Sequence, residues 1–159
     1  MGVEIERKFL IKDDSWREKA TDANDIKQGY LNSVAERTVR VRISRGKGIL
    51  TIKGKNDNLS RLEYEYEIPL KDAESLIDLC EKPIIEKTRH SYFRANHHWE
   101  IDVFKGENEG LIVAEVELES EEEELQLPEW IGEEVSNDSR YYNSSLITNP
   151  FVNWKDENG

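Results

Sequence analysis

Apolar and polar side chains alternate along much of this chain, and each alternating run predicts a β-strand with one polar and one greasy face. In the first run Glu4, Glu6 and Lys8 share one face and Val3, Ile5 and Phe9 the other. Same-face neighbours in such a strand stand roughly 6.6 Å apart. A short strand follows over 26–31, with Gln28 and Tyr30 on one side. Residues 36–44 set Val39, Val41 and Ile43 against Thr38, Arg40 and Arg42. A hairpin turn at 45–48 leads into 49–55, where Leu50 and Ile52 oppose Thr51 and Lys53. Residues 61–68 set Leu62, Tyr64, Tyr66 and Ile68 against Glu63, Glu65 and Glu67. The run 84–93 carries Lys87 and Arg89, and 99–104 turns Glu100 and Asp102 away from Trp99, Ile101 and Val103. The eighth run, 111–118, places Glu115 and Glu117 opposite Ala114, Val116 and Leu118.

Helical spacing predicts fewer elements. A short helix is expected over 13–20 behind capping residues, and a clearer one over 71–82, ended by Pro83. Ser120 to Glu123 has capping-box spacing and predicts a short acidic helix up to Pro128. A last helix is expected over 138–147, then a tail in which Phe151 and Trp154 are candidates to dock. No linker or solenoid repeat interrupts the chain, so one domain over 1–159 is expected.

The polar faces carry their charges in like-sign pairs two residues apart: Glu4 with Glu6, Arg40 with Arg42, Glu63 with Glu65, Lys87 with Arg89, Glu100 with Asp102, Glu115 with Glu117. An ordinary wet sheet mixes signs, because neighbouring like charges destabilise it. The opposite faces are apolar and need cover. One arrangement answers both: an α+β, mainly β, fold in which about eight antiparallel strands close into a barrel able to hold one small ligand. The charged faces then point inward and the apolar faces outward beneath the helices 13–20, 71–82 and 138–147.

Composition narrows the partners. The net charge is −12, which argues against a nucleic-acid partner, since a phosphate backbone attracts a basic surface. No apolar run approaches the roughly 18 residues of a membrane span, and charges begin at Glu4 rather than behind a signal-peptide core. A cytoplasmic protein without a membrane partner is expected. Cys80 is the single cysteine, so neither an intrachain disulfide nor a cysteine metal cluster can form.

Unpaired charge inside a barrel costs several kcal/mol per ion. A salt-bridge network across the lumen would answer part of that cost. The other answer is a pair of guests: carboxylate clusters suit Mg²⁺ or Mn²⁺, and arginine and lysine clusters suit phosphate. A polyphosphate with its divalent ions would satisfy both sets.

Glu4-Ile5-Glu6-Arg7-Lys8 resembles the E-x-E-x-K signature of the CYTH superfamily, the triphosphate tunnel metalloenzymes. Further stretches are similar to that family in order: residues 28–31, 38–42, 51–54, 63–65, 86–89, 100–102, 114–117 and 138–143. The resemblance implies an eight-stranded antiparallel β-tunnel that hydrolyses triphosphates, or cyclises ATP, with Mg²⁺ or Mn²⁺. It implies Glu4, Glu6, Glu115 and Glu117 as metal ligands, with Asp102, Glu63 and Glu65 as further ligands, directly or through water. It implies Lys8, Arg40, Arg42, Lys53, Lys87 and Arg89 along a phosphate track, and Arg140 on a C-terminal helix that can close one mouth. Tyr30 matches a tyrosine near the active site. Family members often pair through outer strands, so a homodimer is expected.

Lys87, beside Arg89, is the candidate general base, because neighbouring cations lower a lysine pKa. Tyr30 is a second catalytic candidate, able to polarise that proton transfer or to serve structurally. Glu6 is the third, through the metal. The expected reaction is metal-dependent hydrolysis of a small triphosphate, inorganic tripolyphosphate first. A class IV adenylate cyclase, a thiamine or nucleoside triphosphatase, and a non-catalytic polyphosphate-binding module are the alternatives. The histidines, Trp16, Trp99, Cys80 and the 121–124 acidic run read as cover or solvated surface.

Overall fold

A computed structural model describes residues 2–154. Eight antiparallel strands close on themselves: β1 (Val3–Ile11), β2 (Asp22–Asn32), β3 (Arg37–Ser44), β4 (Lys47–Gly54), β5 (Ser60–Ile68), β6 (Ile85–Arg94), β7 (His97–Phe104) and β8 (Ile112–Glu117). Their order is β5-β4-β3-β2-β6-β7-β8-β1, and β1 returns to β5 through Val3, Glu4 and Ile5. A ninth strand, β9 (Ile131–Glu134), lies outside this circuit and was not expected from the sequence. It pairs with the far half of β1, at Phe9 and Ile11. One edge of β1 is therefore divided: its start closes the barrel and its end carries β9.

The hairpins follow local chemistry. Arg45 and Gly46 between β3 and β4, and Ala95 and Asn96 between β6 and β7, all have positive φ, as two-residue turns between twisted strands require. The apolar core lies outside the barrel. Helix α2 (Leu70–Leu79) packs Ala73 and Ile77 onto Val41, with Ile43, Leu50 and Ile68 beside them. Close approach depends on two glycines: a Cβ at Gly48 would stand 2.5 Å from Ala73 Cβ, and one at Gly29 2.7 Å from Cys80 Cβ. Over β1, β7 and β8, Trp16, Trp99 and Trp130 are fully buried together with Phe9, Ile101 and Val116. A third cluster joins Ile85, Phe104 and Val113 to Tyr141, Leu146, Ile147 and Trp154.

Three helical expectations are corrected. The first helix, α1, is one turn, Trp16–Lys19, enough to seat Trp16. The stretch after Ser120 makes only a turn, closed by Glu123 N–H to Ser120 C=O at 3.3 Å. Consecutive glutamates repel along a helix, and Glu123 instead accepts from Glu119 N–H at 2.7 Å and pairs with His97. The expected 138–147 helix is broken into a 3₁₀ turn, Ser139–Tyr141, and α3 (Ser145–Thr148). Tyr141, Leu146 and Ile147 face the outer core while Tyr142 and Asn143 face the barrel interior, and one continuous helix cannot serve both. Beyond it Phe151 and Trp154 do dock, with ring centroids 5.0 Å apart. Among the described residues, no helix is long and apolar enough to cross a membrane.

Candidate active site

The barrel encloses a chamber of about 210 Å³, lined almost wholly by charged and polar side chains. Strand alternation brings them there, and register decides who meets whom. Glu6 of β1 stands opposite Glu117 of β8, and Lys8 opposite Glu115. Lys8 Nζ donates to Glu115 Oε1 at 3.0 Å and stands 3.8 Å from Glu6. Lys53 of β4 reaches Glu4 at 2.9 Å and Glu63 at 3.6 Å. These contacts leave the acidic wall unevenly compensated. Burial raises Glu115, but Lys8 and Arg89 outweigh it and hold the carboxyl at about 2. Glu6 goes the other way: burial, with the charges of Glu115 and Glu4, pushes it up to about 7. Glu117 is raised by burial and by Glu4 and Glu6.

The basic wall has the mirror imbalance. Arg42 is held below the ordinary guanidinium range by burial and by Arg40 and Arg89, which marks a cation in need of an anion rather than one that loses its proton. Burial brings Lys87 down to about 7; Asp102 opposes this, and Arg89 and Arg42 add to it. Arg40 bonds Thr51 Oγ1 at 3.1 Å and approaches Glu65 at 3.5 Å, yet its buried Nε has no partner among the described residues. Burial works against the Arg89 cation, but the bidentate pair with Asp102, at 2.7 and 2.9 Å, holds it firmly charged.

Two loops meet over the chamber. Asn58 and Leu59 line it from the β4–β5 connection, and Ser136, Tyr142 and Asn143 from the segment after β9. Asn56 Nδ2 latches the loops by donating to the Tyr142 hydroxyl at 2.9 Å. Val135 N–H to Lys8 C=O, 2.8 Å, and Lys8 N–H to Ser136 Oγ, 2.9 Å, fasten the second loop to β1.

The donor set fits a hard divalent ion. It is all carboxylate oxygen, and Glu6 and Glu117 carry charge that the lysines do not neutralise. Among the described residues, no three acidic, histidine or cysteine side chains form a ready cage. Mg²⁺-type ions are commonly held in that way, by one or two carboxylates plus substrate phosphates.

With this geometry in hand, comparison with known proteins is specific. The family model described as the CYTH domain matches residues 2–148. The chain belongs to the CYTH domain family. An inorganic triphosphatase of Acetivibrio thermocellus is 46% identical over 157 residues, 98% of this chain and 100% of the relative. An inorganic triphosphatase of Nitrosomonas europaea is 36% identical over 148 residues, 91% of this chain and 96% of the relative. The solved structure of the inorganic triphosphatase NE1496 superposes with a TM-score of 0.63 at 34% identity, covering 91% of this chain and 97% of that one. Divalent-metal dependence in general goes with CYTH triphosphatases.

Within this CYTH barrel, Glu4, Glu6, Lys8, Tyr30, Arg40, Arg42, Lys53, Glu63, Glu65, Lys87, Arg89, Glu115 and Glu117 all line one chamber. Two expected site residues do not. Asp102 is fully buried behind the wall, with both oxygens engaged by Arg89 and Lys87. Its place is that of an anchor for two cations rather than a ligand open to a metal. Arg140 bonds Asp138 at 2.7 Å and lies over the rings of Tyr141 and Trp154, away from the chamber lining, because the broken helix turns it outward. Sequence reasoning gave no role to Gln28, Glu100 or Asn143. Gln28 and Glu100 share inward parity with Tyr30 and Asp102 and were within reach of that argument. Asn143 sits in a turn, where no periodicity points.

Proposed function

We propose that this protein hydrolyses inorganic tripolyphosphate to pyrophosphate and phosphate with Mg²⁺ or Mn²⁺. The observation that carries the reading is one small chamber with carboxylates left short of counter-charge, Glu6 and Glu117, on one wall and a cation left short of it, Arg42, on the other. Its volume, about 210 Å³, favours an inorganic chain over a nucleotide, since sites for drug-sized ligands run roughly 300–1,000 Å³. Near-full-length relatives named as inorganic triphosphatases support the same substrate.

Lys8, Arg40, Arg42, Lys53 and Arg89 bind the phosphate chain, and the buried Arg40 Nε finds its acceptor there. Glu4, Glu6, Glu115 and Glu117, aided by Glu63 and Glu65, would hold the metal, which supplies neutralisation of phosphate charge. Lys87 Nζ, already near neutrality at physiological pH, takes the proton of a water attacking the terminal phosphorus. The bridging P–O bond breaks and its electron pair leaves on pyrophosphate. Arg42 and Arg89 stabilise the transferring group, so catalysis is mainly positioning and electrostatics. Tyr30 flanks this chamber and supports the transfer from β2.

The test is phosphate release from tripolyphosphate, ATP and thiamine triphosphate with each metal. Tripolyphosphate should be fastest, and Glu6→Ala and Arg42→Ala should abolish turnover. Parent-like activity in both variants, or cyclic AMP from ATP, would overturn the assignment.

The reading extends to a homodimer. Val3, Ile52, Leu62, Tyr64 and Tyr66 remain exposed on the outer face of β1, β4 and β5. Both edges of β5 are paired there, which leaves face-to-face packing. Light scattering should give twice the chain mass; a monomer throughout the micromolar range would exclude the pairing.

A further inference from the structure

We propose that Asn143 is a positioning residue for the reaction: it fixes the rotation of the Lys87 amine and ties it to Arg42 through Gln28. The inference rests on the reading of Lys87 as general base.

A lysine nitrogen has three positions besides Cε and turns freely about that bond. Here two are occupied. Asp102 Oδ2 lies 2.8 Å from Lys87 Nζ, and Asn143 Oδ1 lies 2.9 Å away. One acceptor would leave the group free to rotate; two non-collinear acceptors do not. Asp102 lies behind the chamber wall and Phe104 flanks the nitrogen, its ring centroid 5.3 Å away, whereas Lys87 itself lines the chamber. The remaining position of the neutral amine, its lone pair, is thereby aimed into the chamber, where the attacking water must sit.

The orientation of Asn143 follows from donor chemistry. Arg42 Nε can only donate, and it does so to Gln28 Oε1 at 2.8 Å. Gln28 is completely buried, so its amide nitrogen needs an acceptor, and it donates to Asn143 Oδ1 at 3.1 Å. That oxygen thus receives both Gln28 and Lys87. A phosphate-binding arginine and the base are set by one amide relay. The relay also accounts for the broken helix: Tyr142 has extended backbone, φ −69 and ψ 133, and this break delivers Asn143 to the chamber.

The experiment is steady-state hydrolysis of tripolyphosphate at saturating Mg²⁺ by Asn143→Ala and by Asn143→Leu, the second keeping the volume while removing the acceptor. A misaimed base should lower kcat by about 10–100-fold, with KM within about threefold because the cationic track is intact. Gln28→Ala added to Asn143→Ala should lower kcat by less than Gln28→Ala does in the parent, since its bond to Asn143 is already gone. An unchanged kcat in Asn143→Leu, or a loss confined to KM and thermal stability, overturns the positioning role. Lys87→Ala separates the two readings. Full turnover in that variant sinks the base assignment itself; its inactivity beside a fully active Asn143→Leu sinks only the inference about Asn143.

Discussion

Lys87 and Asp102 form a buried pair, Nζ to Oδ2 2.8 Å, with each side chain 1% exposed. Asp102 is also the bidentate partner of Arg89, and those two cations hold its carboxyl well below the usual carboxylate range. In Asp102→Asn both cations lose their counter-charge in a buried place, so stability should fall by about 3–5 kcal/mol. Asp102, ahead of Glu115, favours the charged form of Lys87, so its removal should also move the rising limb of the pH–rate profile to lower pH. A raised metal requirement with an unmoved limb would instead mark Asp102 as a metal ligand.

The pH dependence of the parent follows from two groups that titrate near 7. Burial lowers Lys87 to about 7, and the reaction needs it neutral; burial raises Glu6 to about 7, and metal binding needs it ionised. Both fractions grow as pH rises. At limiting metal, log(kcat/KM) should climb below pH 6 with a slope approaching 2. At saturating metal Glu6 is held ionised, and the slope should drop to 1. A rate that falls between pH 6 and 8 would contradict both assignments.

Glu6 should also show a cost in stability. Its folded-state pKa lies above the ordinary glutamate value of 4.5, so the folded protein holds a proton that the unfolded chain sheds. The sign is therefore a loss of stability as pH rises from about 4.5 through about 7. At pH 8, in chelator, Glu6→Gln should be more stable than the parent by about 1–3 kcal/mol while lacking activity. Mg²⁺ should then raise the melting temperature of the parent more than that of the variant. A variant less stable than the parent would show that Glu6 is better paired than its surroundings indicate.

Gly29 tests the outer packing independently of the chemistry. A Cβ at this position would lie 2.7 Å from Cys80 Cβ and 2.9 Å from Ile84 Cδ1. Gly29→Ala should lose about 1–3 kcal/mol in chemical denaturation through overpacking between β2 and the end of α2. The neighbouring Gln28 and Tyr30 should then shift, lowering activity as well. An unchanged midpoint would mean that α2 can move away without penalty.

Alternation was enough to recognise the interior. Arg40, Glu63 and Glu115 come from strands far apart in sequence, and their parity alone marks them as sharing the side opposite the apolar residues. The same reasoning put Lys87 and Arg89 on one face, and both line the chamber. The family resemblance, not parity, gave Asp102 to the metal; Asp102 and Glu100 look alike in parity. Only register separates them: Asp102 stands opposite Arg89, and Glu100 opposite Glu115 and Ser91.

What the chain by itself determined is therefore the period-two pattern, the side on which each charge falls, and the greasy outer faces that call for cover. The tertiary structure decided which charge meets which. Register and closure set whether a carboxylate is neutralised, as Glu115 is by Lys8, or left wanting, as Glu6 is. Closure also drew the aperiodic segment after β9 across the chamber, where Asn143 reaches Lys87. The physical reason is range: side-chain direction along a strand is a local property of the backbone, whereas burial and counter-charge depend on residues a hundred positions away.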